Sequence, residues 1–233
     1  MRKESILNGM KASMPIMASY LGLGIACGIV LYDAGFNVLA IFLMSSLVYA
    51  GAAQFLAGSM IALGATVPSI ILMVFFLNLR HVLMSASIAK YVKKKPLSYL
   101  SIFSHTLSDE SFGINYSKFQ KDDWTTNEAL FTNLFNYSAW VVSTVLGGII
   151  GSQVTINTLI MNYALIAMFL CMMVLQFVSK EHIIAGVVAV VLSVLLTILL
   201  KHNIALVLAT IIASFVGYYI ENRTVEKGVR IDD

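Results

Sequence analysis

Residues 34–79 read AGFNVLAIFLMSSLVYAGAAQFLAGSMIALGATVPSIILMVFFLNL, 46 residues without one Asp, Glu, Lys or Arg. A single membrane crossing takes about 20 apolar residues, so this stretch holds two crossings' worth of chain. A second charge-free run, between Glu128 and Lys180, is 51 residues long, and 182–200 and 202–220 are each 19 residues between charges. Transmembrane β-strands show short alternating segments instead. Hydrophobic residues make up 59% of the 233 and charged residues 12%, half the charge of about 25% usual in a soluble domain. The fold class is all-α: a polytopic integral membrane helical bundle. It forms one membrane-embedded domain over 1–233, with polar tails at 1–12 and 221–233.

The formal net charge of +3 gives no reason to expect nucleic acid as a partner. Cys27 and Cys171 both fall in apolar spans and read as buried small hydrophobes rather than a disulfide. Arg2, Lys3 and Lys11 precede an apolar stretch, as in a signal peptide. That stretch, 12–32, is long enough to span and no small-x-small cleavage site follows it, so it reads as a retained first helix.

The predicted elements are 13–31, 36–63, 66–91, 97–119, 129–151, 157–178, 182–200 and 202–220, with Gly35, Gly64, Pro68, Pro96 and Gly151 at their edges. Basic residues belong on the cytoplasmic side. The N-terminal tail, the cluster Lys90, Lys93, Lys94 and Lys95, and the C-terminal Arg223, Lys227 and Arg230 should therefore all lie there. If the first three elements each cross once, the lysine cluster lands outside. Two arrangements restore parity. Segment 36–63 either holds two short tilted crossings or enters and returns to the outside. Its 28 residues make about 42 Å of straight helix against a core of about 30 Å. Its centre, Tyr49-Ala50-Gly51-Ala52-Ala53-Gln54, is a run of small residues suited to a break, and the re-entrant arrangement is preferred. Segment 97–119 then stays on, or re-enters from, the cytoplasmic side. Six full crossings result, with both termini cytoplasmic and Lys201 misplaced outside. The spacing Gly24/Gly28 recurs as Gly147/Gly151, which reads as close helix packing or as paired segments of two repeats.

Three constellations carry chemistry. On one continuous helix, Ser101, His105, Ser108 and Asp109 share a face, while Glu110 lines up with Phe103, Leu107 and Ile114. Ionisable groups inside a membrane segment are costly and face a cavity or a partner, so Asp109, Glu110, His105 and His81 are candidates for proton coupling. The alternative is a solvated interfacial helix. Asn78-Leu79-Arg80-His81 places an arginine inside an apolar run, with Asp109 and Glu110 as its obvious counter-charges. The pair is either structural or a site for an anion, since a guanidinium fork suits a carboxylate. At the Gly51–Gln54 break, a half-helix N-terminus suits a substrate carboxylate; a continuous, tightly packed helix is the alternative. Candidate substrate-binding residues are Gly51, Ala52, Ala53, Gln54, Asn78, Arg80 and Gly24. There is no Walker A motif, no H-E-x-x-H and no cysteine pair with metal spacing. His182 and His202 sit at span ends. No cofactor, no metal and no catalytic residue is expected.

The ordered motifs Gly9…Pro15…Gly22-Leu23-Gly24…Gly28…Gly35, Tyr49-Ala50-Gly51-Ala52-Ala53-Gln54-Phe55, Asn78-Leu79-Arg80-His81 and Asp109-Glu110-Ser111-Phe112 resemble those of the AzlC family, the large subunit of branched-chain amino acid exporters. The likeness covers roughly 9–220 and is carried by 9–113. It implies a cytoplasmic-membrane exporter of leucine, isoleucine and valine, driven by proton-motive force. It also implies a small hydrophobic AzlD-type partner subunit. A passive channel or a transporter of another small apolar solute is the alternative, distinguished by conductance without accumulation against a gradient.

Overall fold

In the computed structural model, residues 2–92, 94–153, 163, 170, 180–200 and 204–229 are described. The predicted element 157–178, and Cys171, Lys201 and His202, lie outside the described residues. Nine helices are described: α1 (Arg2–Asp33), α2 (Val38–Leu47), α3 (Gly51–Ala62), α4 (Val67–Val92), α5 (Leu97–His105), α6 (Asp109–Gln120), α7 (Thr126–Gly151), α8 (Lys180–Leu200) and α9 (Ile204–Val229). Three of them, α1, α4 and α7, are long and apolar enough by themselves to cross a membrane. The residues before Ala12 are not a loose tail. They extend α1 and pack on the start of α7, where Asn8 Nδ2 donates to Glu128 at 2.7 Å.

Helices α1 and α7 run side by side in the same direction. Gly9 lies against Thr132, Gly24 against Ser143, Gly28 against Thr144 and Gly148, and Tyr32 against Gly151. At Gly28 and Gly147 the facing atoms are main chain, of Thr144 and Ile25 respectively, so no side chain fits there. The recurring glycine spacing is thus the contact between these two helices.

Segments 36–63 and 97–119 are each broken into two half-helices. Asn37 caps α2, accepting from Ala40 N at 2.8 Å. The helix stops before Tyr49, whose φ is 43°, and α3 restarts at Gly51. Along α7, Ile41 meets Gly148, Thr144 Oγ1 donates to Ser45 at 2.8 Å and Tyr137 OH donates to Ser46 O at 2.9 Å. Helix α2 therefore descends α7. Helix α3 climbs back, from Trp140 Nε1 donating to Gln54 Oε1 at 2.8 Å to Gly58 against Val30 and Leu31 near the end of α1. The pair enters and returns at one end.

The α5–α6 pair does the same from the opposite end. Tyr99 OH donates to Thr126 O at the start of α7, and Asn133 Nδ2 donates to Phe103 O at 3.3 Å. The turn at 106–108 reaches Tyr20, and α6 returns to Ala129 and Asn133, to which Asn115 Nδ2 donates at 3.4 and 2.8 Å. The predicted single face of Ser101, His105, Ser108 and Asp109 does not form, because the helix ends at His105. Ser108 instead caps α6, accepting from Ser111 N at 3.2 Å while Ser111 Oγ accepts from Ser108 N at 2.9 Å. That reciprocal box satisfies a new helix start better than a continued turn would.

The order is a long helix followed by a returning pair (α1, then α2–α3), then the same again in the opposite sense (α4, then α5–α6). Ile88, Val92, Phe103, Leu107, Phe119 and Ala129 form an apolar cluster where α4, α5, α6 and the start of α7 converge. Residues 169–233 form a separate unit, in which α8 and α9 pair. Gly217 approaches Ala185 Cβ, and Ala205, Ala209 and Ala213 are buried at four-residue spacing. Outward residues of α8 such as Val187, Val190 and Leu199 are exposed, as in a lipid-facing helix.

Candidate functional site

The two returning pairs meet tip to tip. His105, the last residue of α5, is hydrogen-bonded through Nε2 to Ser46 O near the end of α2, at 2.8 Å. Around this junction lie the tip residues Tyr49 and Ser108, the first turns of α3 and α6, and Tyr20, Tyr137 and Trp140 from the flanking long helices. Tyr20 and Trp140 pack edge to face with centroids 5.1 Å apart, and Tyr49 and Tyr137 do so at 4.9 Å.

The adjacent acids at the start of α6 part company. Asp109 pairs with Arg80 of α4, Nη2 to Oδ2 at 3.1 Å, one of the two pairings expected from the scarcity of acids. Glu110 turns to α1, where Tyr20 OH donates to its Oε2 at 2.5 Å. The same phenol lies 3.0 Å from Ser108 Oγ. Glu110 is therefore held by a buried phenol rather than standing in the apolar stripe expected for an unbroken helix. His81 feels the charges of Asp109, Arg80 and Glu110. Its Nε2 and Asn78 Oδ1 are buried without hydrogen-bond partners among the described residues.

The break at Gly51 has two distinct parts. Gln54 is fully occupied: Nε2 donates to Ser45 Oγ at 2.8 Å, Oε1 accepts from Trp140, and its N–H makes the first helical bond, to Ala50 O at 2.9 Å. It anchors the returning pair to α7. The N–H groups of Gly51, Ala52 and Ala53 precede that first bond, and Ala50 provides no side-chain cap. A helix start of this kind attracts anions. A Cβ at Gly51 would lie 2.7 Å from the Trp140 ring, so glycine lets the indole cover the break.

Arg80, His81, Asp109 and Glu110 are thus brought into one neighbourhood, His105 into the tip contact, and Gly51–Ala53 to the opposite side of the junction. Gly24 lies against Ser143 in the α1–α7 contact. Sequence reasoning missed Trp140, and Tyr20 entered it only as the neighbour of Gly22, Gly24 and Gly28. Among the described residues, no group of three or more metal-ligating side chains occurs.

Residues 15–154 match the family described as AzlC protein. The chain is similar to the branched-chain amino acid transport protein AzlC of Bacillus subtilis, 33% identical over 174 residues, covering 72% of this chain and 66% of that protein. It is also similar to the inner membrane protein YgaZ of Escherichia coli, 30% identical over 151 residues, 64% of this chain and 62% of that one. An uncharacterized membrane protein of Archaeoglobus fulgidus is 30% identical over 183 residues, 77% of this chain and 78% of that one. The matched segment spans just under two thirds of the Bacillus and Escherichia proteins. No solved structure matches.

Proposed function

This chain belongs to the AzlC family of membrane proteins, and on that premise we propose that it is a secondary active exporter of leucine, isoleucine and valine across the cytoplasmic membrane. It works with a small AzlD-type subunit and is driven by proton-motive force. Both termini are cytoplasmic, and the described spans and those beyond form one transport domain.

The observation that carries this reading is the tip-to-tip meeting of two returning half-helix pairs around a carboxylate–phenol contact. Broken helices near mid-membrane are where transporters place substrate sites, because backbone freed from helical bonding faces a polar solute there. The N–H groups of Gly51, Ala52 and Ala53 take the substrate carboxylate. Glu110 takes the ammonium or the coupled proton, with Tyr20 as its hydrogen-bonding partner. Asp109 is engaged by Arg80, so this pair, with Asn78 and His81, sets the field on the α4 side and separates when the pairs move. His105 ties the tips in this conformation, and its release from Ser46 accompanies opening to one side. Alternating access moves one returning pair against the other. No cofactor takes part.

The test is efflux of leucine from cells loaded with a leucine dipeptide and lacking their own exporters, with and without a protonophore. Efflux is expected to depend on the chain and to collapse with the proton gradient. Glu110→Gln is expected to lower it at least about tenfold, the loss of one hydrogen bond to a charged group. Normal efflux in both Glu110→Gln and Asp109→Asn sinks the coupling role.

A further inference from the structure

Two buried polar side chains near the junction of the returning pairs make no well-formed hydrogen bond among the described residues. Tyr49 is 5% exposed, and its hydroxyl faces Ser108 and Tyr20 without a well-formed hydrogen bond among the described residues. Its backbone sits at φ 43°, the left-handed region that a residue with a Cβ occupies only under tertiary constraint. The fold thus holds this side chain at the tip against local preference. Asn136 of α7 is 0% exposed, and neither its Nδ2 nor its Oδ1 has a partner among the described residues.

Its neighbours on the same face of α7 are satisfied. Asn133 bonds Phe103 O and Asn115, Thr132 bonds Gly9 O and Glu128 O, and Trp140 bonds Gln54. Asn136 is the exception in an otherwise completed row. It stands one turn from Asn133, which marks the end of α5, and one turn from Trp140, which covers the start of α3. An unbonded buried amide is destabilising, and native proteins keep few of them without a functional reason.

We infer that Asn136 and Tyr49 hold the polar head of the transported solute, an α-amino carboxylate zwitterion. This assignment rests on the transport reading above. A carboxamide offers both halves of the match: its N–H donates to the carboxylate and its carbonyl accepts from the ammonium. The Tyr49 hydroxyl, which faces Ser108, Tyr20 and Glu110, accepts from the ammonium, and the uncapped N–H groups of Gly51, Ala52 and Ala53 take the carboxylate. The Glu110–Tyr20 contact lies on the ammonium side. A zwitterion has no net charge, so a buried site with fixed donors and acceptors accepts it, whereas either half alone leaves partners unmet.

The experiment measures the melting temperature of the purified full chain against L-leucine, L-isoleucine and L-valine, together with isoamylamine and 4-methylpentanoate, which each carry half of the head. Asn136→Leu and Tyr49→Phe are compared with wild type. The expected result is an unchanged or higher melting temperature without ligand in both variants, because each change removes a group that makes no well-formed hydrogen bond among the described residues. The leucine concentration for half-maximal stabilisation rises about tenfold or more, as for one lost hydrogen bond to a charged group. The half-head compounds stabilise wild type poorly. Wild-type leucine dependence in both variants overturns the assignment, and a lowered melting temperature with that dependence intact identifies the groups as structural instead. A wild-type chain that none of the three amino acids stabilises, and that drives no leucine efflux, overturns the transport reading and the assignment with it.

Discussion

Asp109 and Glu110 are consecutive, yet one reaches α4 and the other α1, because both lie in the first turn of a helix that starts at Ser108. Acids at that position are favoured by the helix dipole, and a helix start diverges its first side chains by about 100° per residue. The Arg80–Asp109 pair is part-buried, with side chains 23% and 31% exposed. Removing one partner leaves the other charge in a poorly solvated place. Arg80→Met and Asp109→Asn are each expected to lower thermal stability by about 1–3 kcal/mol, and the double variant by less than their sum. Unfolding of the four proteins in detergent checks this; strict additivity shows that the two groups do not couple. Scarcity of acids narrowed the partner of Arg80 to Asp109 or Glu110, and the structure pairs it with Asp109. The Glu110–Tyr20 bond was not legible in the sequence, since it joins positions 90 residues apart and depends on a helix break. Asn136 was hidden for a similar reason: an asparagine that lacks a partner looks the same in sequence as Asn133, which has two.

At the scale of elements, the breaks divide the molecule's behaviour. The run of small residues at 49–54 announced the first break, because a long apolar segment with a weak centre has no reason to stay continuous. For the second segment re-entry was one of two readings, but the position of its break was not legible. The stretch 97–119 keeps a plausible helical face throughout, and only the Ser108–Ser111 reciprocal bonding, invisible without coordinates, favours stopping at His105. The glycine spacing was legible as a packing device, and the structure tells its members apart. Gly22 has open space where a Cβ would go, whereas Gly28 faces main-chain atoms of Thr144 and Gly148. Main chain cannot rotate away as a flexible side chain can. Gly22→Ala is expected to leave yield and monodispersity unchanged, and to add up to about 1 kcal/mol from higher helix propensity. Gly28→Ala forces α1 from α7 and is expected to lose at least about 2 kcal/mol, in the range of overpacked cores. Size-exclusion of the two variants after mild heating compares them, and equal survival contradicts the close approach of α1 and α7.

Across the whole chain, charge counting and geometry meet. Helices α2 and α3 have 10 and 12 residues, about 15 and 18 Å of helix, each near half of a core of about 30 Å. They return along α7 to the end where α1 finishes, beside Asp33. The opposite end collects Lys3, Lys11, Lys90, Lys94, Lys95, Lys118 and Lys121, together with the aromatic rings of Tyr91, Tyr99, Tyr116 and Trp124, three of whose lysine contacts lie within 5.5 Å. Lysine and aromatic residues together mark an interface, and in the proposed topology the lysine excess puts that interface at the cytoplasm. With only α1, α4 and α7 crossing in residues 2–153, the lysine-rich ends of all three fall on one side. A fourth crossing, through 36–63, would split them. Single cysteines in a Cys27→Ala, Cys171→Ala background decide the point. Asp33→Cys and Thr66→Cys, which flank α2–α3, should both react with an impermeant maleimide in intact cells. Lys94→Cys and Lys121→Cys, which flank α5–α6, should react only after permeabilisation. Opposite behaviour of the first two positions means that α2–α3 passes through the membrane. In that case the two returning pairs do not face each other from opposite sides, and the junction around Tyr49, Glu110 and Asn136 loses the two-sided access that export requires.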